Sequence, residues 1–371
     1  MRRDYDVAVV GAGLVGAAIA YGLAKDGRRV CLLDEGDIAL RASRANFALV
    51  WVQTKGHGYP PYAILTHRSA SLWSSFAQEV EAETGVDLGF QQPGGFTFAL
   101  SEEELEGRRR ILDEVQAQPG VPDLGSRIVL RNELISLIPE AGPEVVGASY
   151  CAKDGHCNSP RLLLALHRGF GMRGGDLLTN RTVETITAGR DGFSILGEGE
   201  EIQAGKIVLA AGLGNIRLAP MVGLDAPLQP LKGQLIVTEK VRPFLHYPLV
   251  NLRQTDEGGV MIGSSMEDMG FDTSSVVPVV ANMAKRAIRL FPLLAEANIV
   301  RSWAGLRIMT PDGFPLYEQS QEAPGAFLCN CHSGVTLAAA HAGDLAQAIG
   351  RGNLDGFGAF SGERLRVQAA Q

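Results

Sequence analysis

Apolar residues run almost unbroken through residues 5–10 (YDVAVV) and 29–33 (RVCLL). Runs of this kind predict short strands buried on both faces of a parallel sheet. Between them, residues 14–25 are rich in alanine and leucine and stop at Gly27, which predicts a helix. Three later segments repeat this strand-then-turn pattern. GGDLLTNRTVETITAGRDGFSI, from Gly174, alternates apolar positions and turns at Arg190-Asp191-Gly192. KIVLAAGLGN, residues 206–215, is a buried strand ending in Ala-Ala-Gly. GAFLCNCHSGVTLAAAHAGDLAQAI, residues 325–349, reads as a strand, a Ser333-Gly334 turn and an alanine-rich helix.

The pattern differs elsewhere. Residues 71–145 hold two amphipathic helical runs, LWSSFAQEVEAET and EEELEGRRRILDEVQ, around the strand-like GGFTFAL. Residues 231–265 hold LKGQLIVTEK and GGVMIGSS, whose alternation is typical of an antiparallel sheet. The 371 residues suffice for two domains, or for one large domain with a lobe inserted into it.

The first turn carries the most specific chemistry. Gly11, Gly13 and Gly16 give G-x-G-x-x-G between strand and helix. The first glycine allows a tight turn, the second admits a pyrophosphate, and the third lets helix and strand pack closely. The helix dipole then points at the phosphates. Asp34, 18 residues beyond Gly16, ends the second strand, where a carboxylate accepts hydrogen bonds from an adenosine ribose. An acid there disfavours a phosphorylated ribose and hence NADP, but leaves NAD and FAD open.

Composition excludes other classes. A net charge of −7 without any basic block argues against nucleic acid as the main partner. No run of 18 apolar residues predicts a membrane span. Arg2 and Arg3 precede apolar residues as in a signal peptide, but Asp4 and Asp6 interrupt the pattern, so the cytoplasm is the expected location. The five scattered cysteines do not form a disulfide framework, and Cys329-x-Cys331 supplies too few ligands for a metal. Buried reduced thiols and no metal site are expected.

The order of GAGLVG with Asp34, mid-chain VLAAGLGN and C-terminal CHSGVTLAAA resembles the D-amino acid oxidase family of FAD-dependent oxidoreductases over essentially the whole chain. DGHCNSPRLLLAL (from Asp154), PLQPLKGQLIVTE (from Pro227), RSWAGLRIMTPDGFPLY (from Arg301) and CHSGVTLAAAHAG (from Cys331) narrow the resemblance. They are similar to the flavoproteins of multi-subunit amine dehydrogenases, such as opine oxidase B, hydrogen cyanide synthase C and D-hydroxyproline dehydrogenase β subunits.

The resemblance implies non-covalent FAD and an α/β fold of two lobes. A discontinuous, doubly wound Rossmann-like FAD-binding domain would collect residues 1–75, 146–215 and 310–371. An α+β substrate domain on an antiparallel or mixed sheet would collect 76–145 and 216–309. Ser43, Arg44 and Asn46 fall at a turn beside the pyrophosphate and flavin, although Arg44 also reads as an outward-facing loop residue. Val183 falls where the family sets a backbone amide against adenine. Ala211 and Gly212 lie at the mid-chain landmark. Ser333, Gly334, Val335 and Thr336 fall where the family presents backbone N–H groups to the flavin pyrimidine.

For catalysis, Arg307 stands where related oxidases direct an arginine at the substrate carboxylate. The alternative is an ion pair with an acid such as Asp312. His332 either touches ring or substrate or simply packs there. Tyr247 and Arg253 are unmatched candidates for a second carboxylate contact. His57, Tyr59, Tyr62 and His67 lie in TKGHGYPPYAILTH, a candidate active-site loop stiffened by Pro60-Pro61, and His156 reads as supporting a turn.

The implied reaction passes the α-hydride of an amino acid, imino acid or opine to flavin N5, leaving an imine that water hydrolyses. It requires no general base. A second redox subunit is the expected partner, since this chain has no cluster ligands. The alternatives are a self-sufficient glycine- or sarcosine-type oxidase using oxygen, a non-enzymatic flavoprotein, and an NAD dehydrogenase. The last is disfavoured by a C-terminal strand and helix that return to the nucleotide.

Overall fold

The computed structural model describes residues 4–36 and 41–369. Arg2 and Arg3 of the signal-like N-terminus lie outside the described residues. The main sheet has eight strands. Its parallel centre runs Ala326–Asn330, Glu200–Leu209, Asp4–Val10, Val30–Leu33, Asp176–Leu178, and Leu316–Gln319 adds an antiparallel edge. A hairpin of Thr185–Gly189 and Gly192–Gly197 pairs onto Glu200–Leu209.

The apolar runs are buried on both faces because two cores flank the sheet. Val7, Val9, Leu32, Val208 and Phe327 enter one core with the Leu14–Lys25 helix. Ala8, Val10, Leu33, Ile207 and Leu328 enter the other. The two-residue alternation along each strand accounts for the split.

Two larger antiparallel sheets and a short antiparallel pairing of Leu49–Val50 with Gly155–His156 build the rest. One has the order Leu252–Gln254, Gly259–Gly263, Gln229–Lys240, Ile299–Met309, and the other Gly95–Ala99, Gly147–Cys151, Ser126–Leu130. A third core, including Phe96, Phe98, Ile236, Ile262 and Phe291, joins them. Phe96 also pairs its backbone with Pro248 and Val250, so the two sheets are linked through one residue. No helix among the described residues is long and apolar enough to cross a membrane. All five cysteines are free and buried.

Two expectations need correction. TKGHGYPPYAILTH is not a loop throughout, because the 25-residue helix Pro60–Thr84 takes its second half. Pro60 and Pro61 start that helix, where a missing N–H costs nothing and the fixed φ suits the first turn. Tyr62 and His67 are therefore helical, while exposed His57 bonds Glu114 at 2.6 Å. The final helix also starts later than the Ser333-Gly334 turn suggested. Residues 334–337 form turns, the helix opens at Ala338–Ala340, and a π-helical stretch, His341–Leu345, precedes Ala346–Arg351.

Candidate active site

The glycine turn closes as its spacing requires. Gly11, at φ 104°, donates its N–H to Leu33 O at 2.7 Å. A Cβ on Gly16 would lie 1.9 Å from Gly11 O, so helix and turn approach too closely for any side chain. Gly13 caps the helix without a capping oxygen, and no acid stands in the first turn. Ser43 Oγ accepts from Leu14 N–H at 2.9 Å and would be 2.8 Å from a Cβ on Gly13. Asp34 accepts from Ala12 N–H at 2.8 Å and Gly36 N–H at 3.1 Å, one to each oxygen. A carboxylate has about four acceptor sites, which leaves room for ribose hydroxyls.

Asn46 locks the neighbouring turn by donating to Ser43 O at 2.7 Å and accepting from Ala48 N–H at 2.7 Å. Arg44 is exposed on the short Ala42–Ala45 helix. Val183 is buried, and its carbonyl accepts from Arg217 Nη2 at 2.6 Å. Ala211 donates its N–H to Asn215 Oδ1 at 3.2 Å, and Gly212, at φ 59°, faces Ile308 of the second sheet.

The start of the last helix is pinned from several sides. Thr336 Oγ accepts from Trp51 N–H at 3.1 Å and donates to Leu49 O, while Thr336 O accepts from Ser69 and Trp73. Trp73 also reaches Val335 O, and Gly334 sits against Leu14 and Val15 of the first helix. Glycine turn and last helix thus meet at one place. Ser333 Oγ contacts Lys55 Nζ at 2.8 Å and Tyr62 OH at 2.6 Å.

Arg307 lies on Ile299–Met309, opposite Leu231. Three of its N–H groups donate to Lys232 O, Ser264 Oγ and Ser265 O at 3.2, 2.5 and 2.9 Å. The guanidinium lies over Gly233, where a Cβ would be 2.5 Å from Nη2. Asp312 pairs with Arg364 at 2.7 Å instead, so the alternative partner for Arg307 is already taken. Burial lowers the Arg307 pKa, opposed by the charge of Glu267.

His332 is exposed beside Ser333. Desolvation, then the charges of Lys55 and Arg307, hold its imidazole down to about 3, so it is neutral. Tyr247 packs edge-on against Phe96 at 5.1 Å. Arg253 is buried on Phe47 O, His156 Nδ1 and Met261 Sδ, which gives His156 a packing role beside it.

Residues 6–348 match the model of the DAO family, described as FAD dependent oxidoreductase. The chain belongs to this family. It is 47% identical over 368 residues to the B subunit of opine oxidase from Agrobacterium tumefaciens (strain Ach5), covering 99% of both chains. It is 44% identical over 369 residues to the B subunit of opine oxidase from Rhizobium meliloti, covering 99% of this chain and 100% of the relative. The solved glycine oxidase of Geobacillus kaustophilus superposes with a TM-score of 0.87 at 27% identity, covering 96% of this chain and 98% of that one.

As a DAO-family protein the chain is an FAD-dependent oxidoreductase. Its residues fit that cofactor. The acid-free helix start at Gly13, with only Leu14 N–H taken by Ser43 Oγ, leaves a positive dipole for pyrophosphate, and Asp34 faces the same turn.

Sequence reasoning missed the support of the 51–55 segment. Asp154 is fully buried and accepts from Val52 N–H at 2.5 Å and Gln53 Nε2 at 2.6 Å. Burial outweighs these donors and pushes its carboxyl up from 3.8 to about 7. The folded protein therefore binds this proton more tightly than the unfolded chain, and stability falls as pH rises through that window. The unfolding free energy of the wild type, minus that of Asp154→Asn, should decline from pH 4 to pH 7 by as much as about 4 kcal/mol. Chemical denaturation at several pH values checks this, and a flat difference would refute it.

Proposed function

We propose that this chain is the catalytic flavoprotein subunit of a multi-subunit dehydrogenase that oxidises the C–N bond of an amino acid, imino acid or opine. Arg307 carries the reading. Three of its five N–H groups hold it in place, no described carboxylate contacts it, and its Nε–H and one Nη1–H remain as single donors for a substrate carboxylate. FAD, bound non-covalently, supplies the acceptor for the α-hydride. Arg307 orients the reacting carbon, and neutral His332 places no further charge beside the amine. The turn at Ser333, Gly334, Val335 and Thr336 would hold the pyrimidine end of the flavin with its backbone dipoles. We assign Gly11, Gly13, Gly16, Asp34, Ser43, Arg44, Asn46, Val183, Ala211 and Gly212 to the dinucleotide.

We also propose the two-lobe division at 1–75, 146–215 and 310–371 against 76–145 and 216–309. The third core supports it, since all its buried members but Ala148 lie in 76–145 and 216–309, although strand Gly147–Cys151 pairs within the sheet of the substrate lobe. The opine oxidase relatives are each named as one subunit of their enzyme, which supports a second redox subunit here, and a cytoplasmic location accompanies that reading. The likeness to a glycine oxidase favours the second reading, a stand-alone oxidase releasing hydrogen peroxide. Reoxidation separates them. Substrate-reduced protein should recover its absorbance slowly in air and quickly when the co-expressed partner and an electron acceptor are added. Rapid recovery in air alone would establish the oxidase.

A further inference from the structure

Lys55 is a partly buried cation on which Asp154 acts only from a distance. Its ammonium donates to the Ser333 hydroxyl at 2.8 Å and sits over the Tyr62 ring at 5.9 Å. Among the described residues no carboxylate forms an ion pair with it. Desolvation lowers its pKa to about 8, so it stays largely protonated at neutral pH. An enclosed charge costs several kcal/mol unless an anion or strong dipoles compensate it.

The segment that presents Lys55 is rigidly built. Asp154 holds Val52 and Gln53, Thr336 Oγ holds Trp51, and Lys55 N–H donates to Val52 O at 3.0 Å. The ammonium is therefore held at the start of the last helix. From Arg307 the chain runs in a few residues to Phe314, which packs against Tyr62 at 5.7 Å, and Tyr62 OH meets Ser333 Oγ. The charge of Arg307 acts on Lys55, and both charges act on His332, the neighbour of Ser333. Two such cations repel each other, and a ligand with two anionic groups relieves both.

We propose that Lys55 is a specificity-determining residue that binds a second carboxylate of the substrate. Arg307 holds one carboxylate of a secondary amine and Lys55 holds the other, so the site selects imino dicarboxylates over simple amino acids. This rests on the reading of Arg307 given above.

The test uses ligands that cannot be oxidised. FAD-loaded protein is titrated with methoxyacetate, a monocarboxylate ether, and with ether diacids from diglycolate upward in chain length, following the flavin spectrum. The wild type should bind the best diacid at least tenfold more tightly than methoxyacetate. Lys55→Met should abolish that preference while changing methoxyacetate binding less than threefold. Lys55→Arg should restore part of the preference, and Arg307→Met should weaken both ligands. Flavin content and melting temperature confirm folding.

A preference retained in Lys55→Met overturns the role of Lys55 and leaves the Arg307 site standing. Equal loss of both ligands in Lys55→Met likewise overturns it in favour of a structural role. If neither ligand perturbs the wild-type spectrum, the substrate site itself is misplaced and this inference falls with it.

Discussion

Replacing Arg307 by methionine is expected to lower kcat/KM for the substrate by about 10³-fold, equivalent to ~4 kcal/mol. The flavin content should be unchanged. The side chain is fixed by three oxygens of Lys232, Ser264 and Ser265, and the missing side chain of Gly233 makes room for its guanidinium. A substrate carboxylate bound there forms charge-assisted bonds that methionine cannot replace, and the reacting carbon loses its orientation. Arg307→Lys should fall between, with a loss of about 10- to 100-fold, because an ammonium keeps the charge but not the planar donor geometry. Stopped-flow reduction of the flavin measures the effect directly. A methionine variant reduced at the wild-type rate and affinity would remove Arg307 from the site.

The second large effect concerns Gly16. Gly16→Ala puts a methyl group 1.9 Å from the backbone oxygen of Gly11, and backbone cannot rotate aside as a flexible side chain would. The first helix must shift, which displaces the Gly13 helix start and the Asp34 contacts that hold the turn. Overpacking costs about 1–3 kcal/mol, and losing a ligand bound at 100 times its Kd removes ~2.7 kcal/mol more. The protein should purify with less than a tenth of its FAD and melt about 5–7 °C lower. Gly107→Ala is the control. Gly107 lies in the Glu102–Gln116 helix with open space around it, so alanine there should keep FAD and stabilise by up to about 1 kcal/mol. A yellow, wild-type-like Gly16→Ala protein would contradict the geometry of the turn.

The first 34 residues are legible because their function is local. Strand, glycines, helix and acid follow one another, and each contact spans few residues. Central strands were legible for a related reason, since burial on both faces leaves an unbroken apolar run. LWSSFAQEVEAET, the second half of the Pro60–Thr84 helix, was legible as helix, but its first half was misread because two prolines look the same in a stiff loop and in a helix's first turn. What distinguishes them is the packing of Trp73 and Ser69 against residues 335–336, which no local pattern reveals. Lys55 was invisible for the same reason. Its partner Ser333 is 278 positions away, and a lone lysine in a polar stretch reads as solvated surface. Asp154 stood within a motif that carried the family resemblance, but its support of Val52 and Gln53 crosses 101–102 residues.

The central claim is that Arg307 and the site beside it oxidise a carboxylate-bearing amine with FAD. Its most direct test is an anaerobic titration of the yellow protein, together with its partner subunit, followed by flavin absorbance. The panel contains nopaline, octopine, D- and L-proline derivatives, glycine and sarcosine. The account predicts rapid bleaching by an imino dicarboxylate, weaker bleaching by the simple amino acids, and none at the same concentration in Arg307→Met. Fully FAD-loaded protein that no member of the panel bleaches would contradict it.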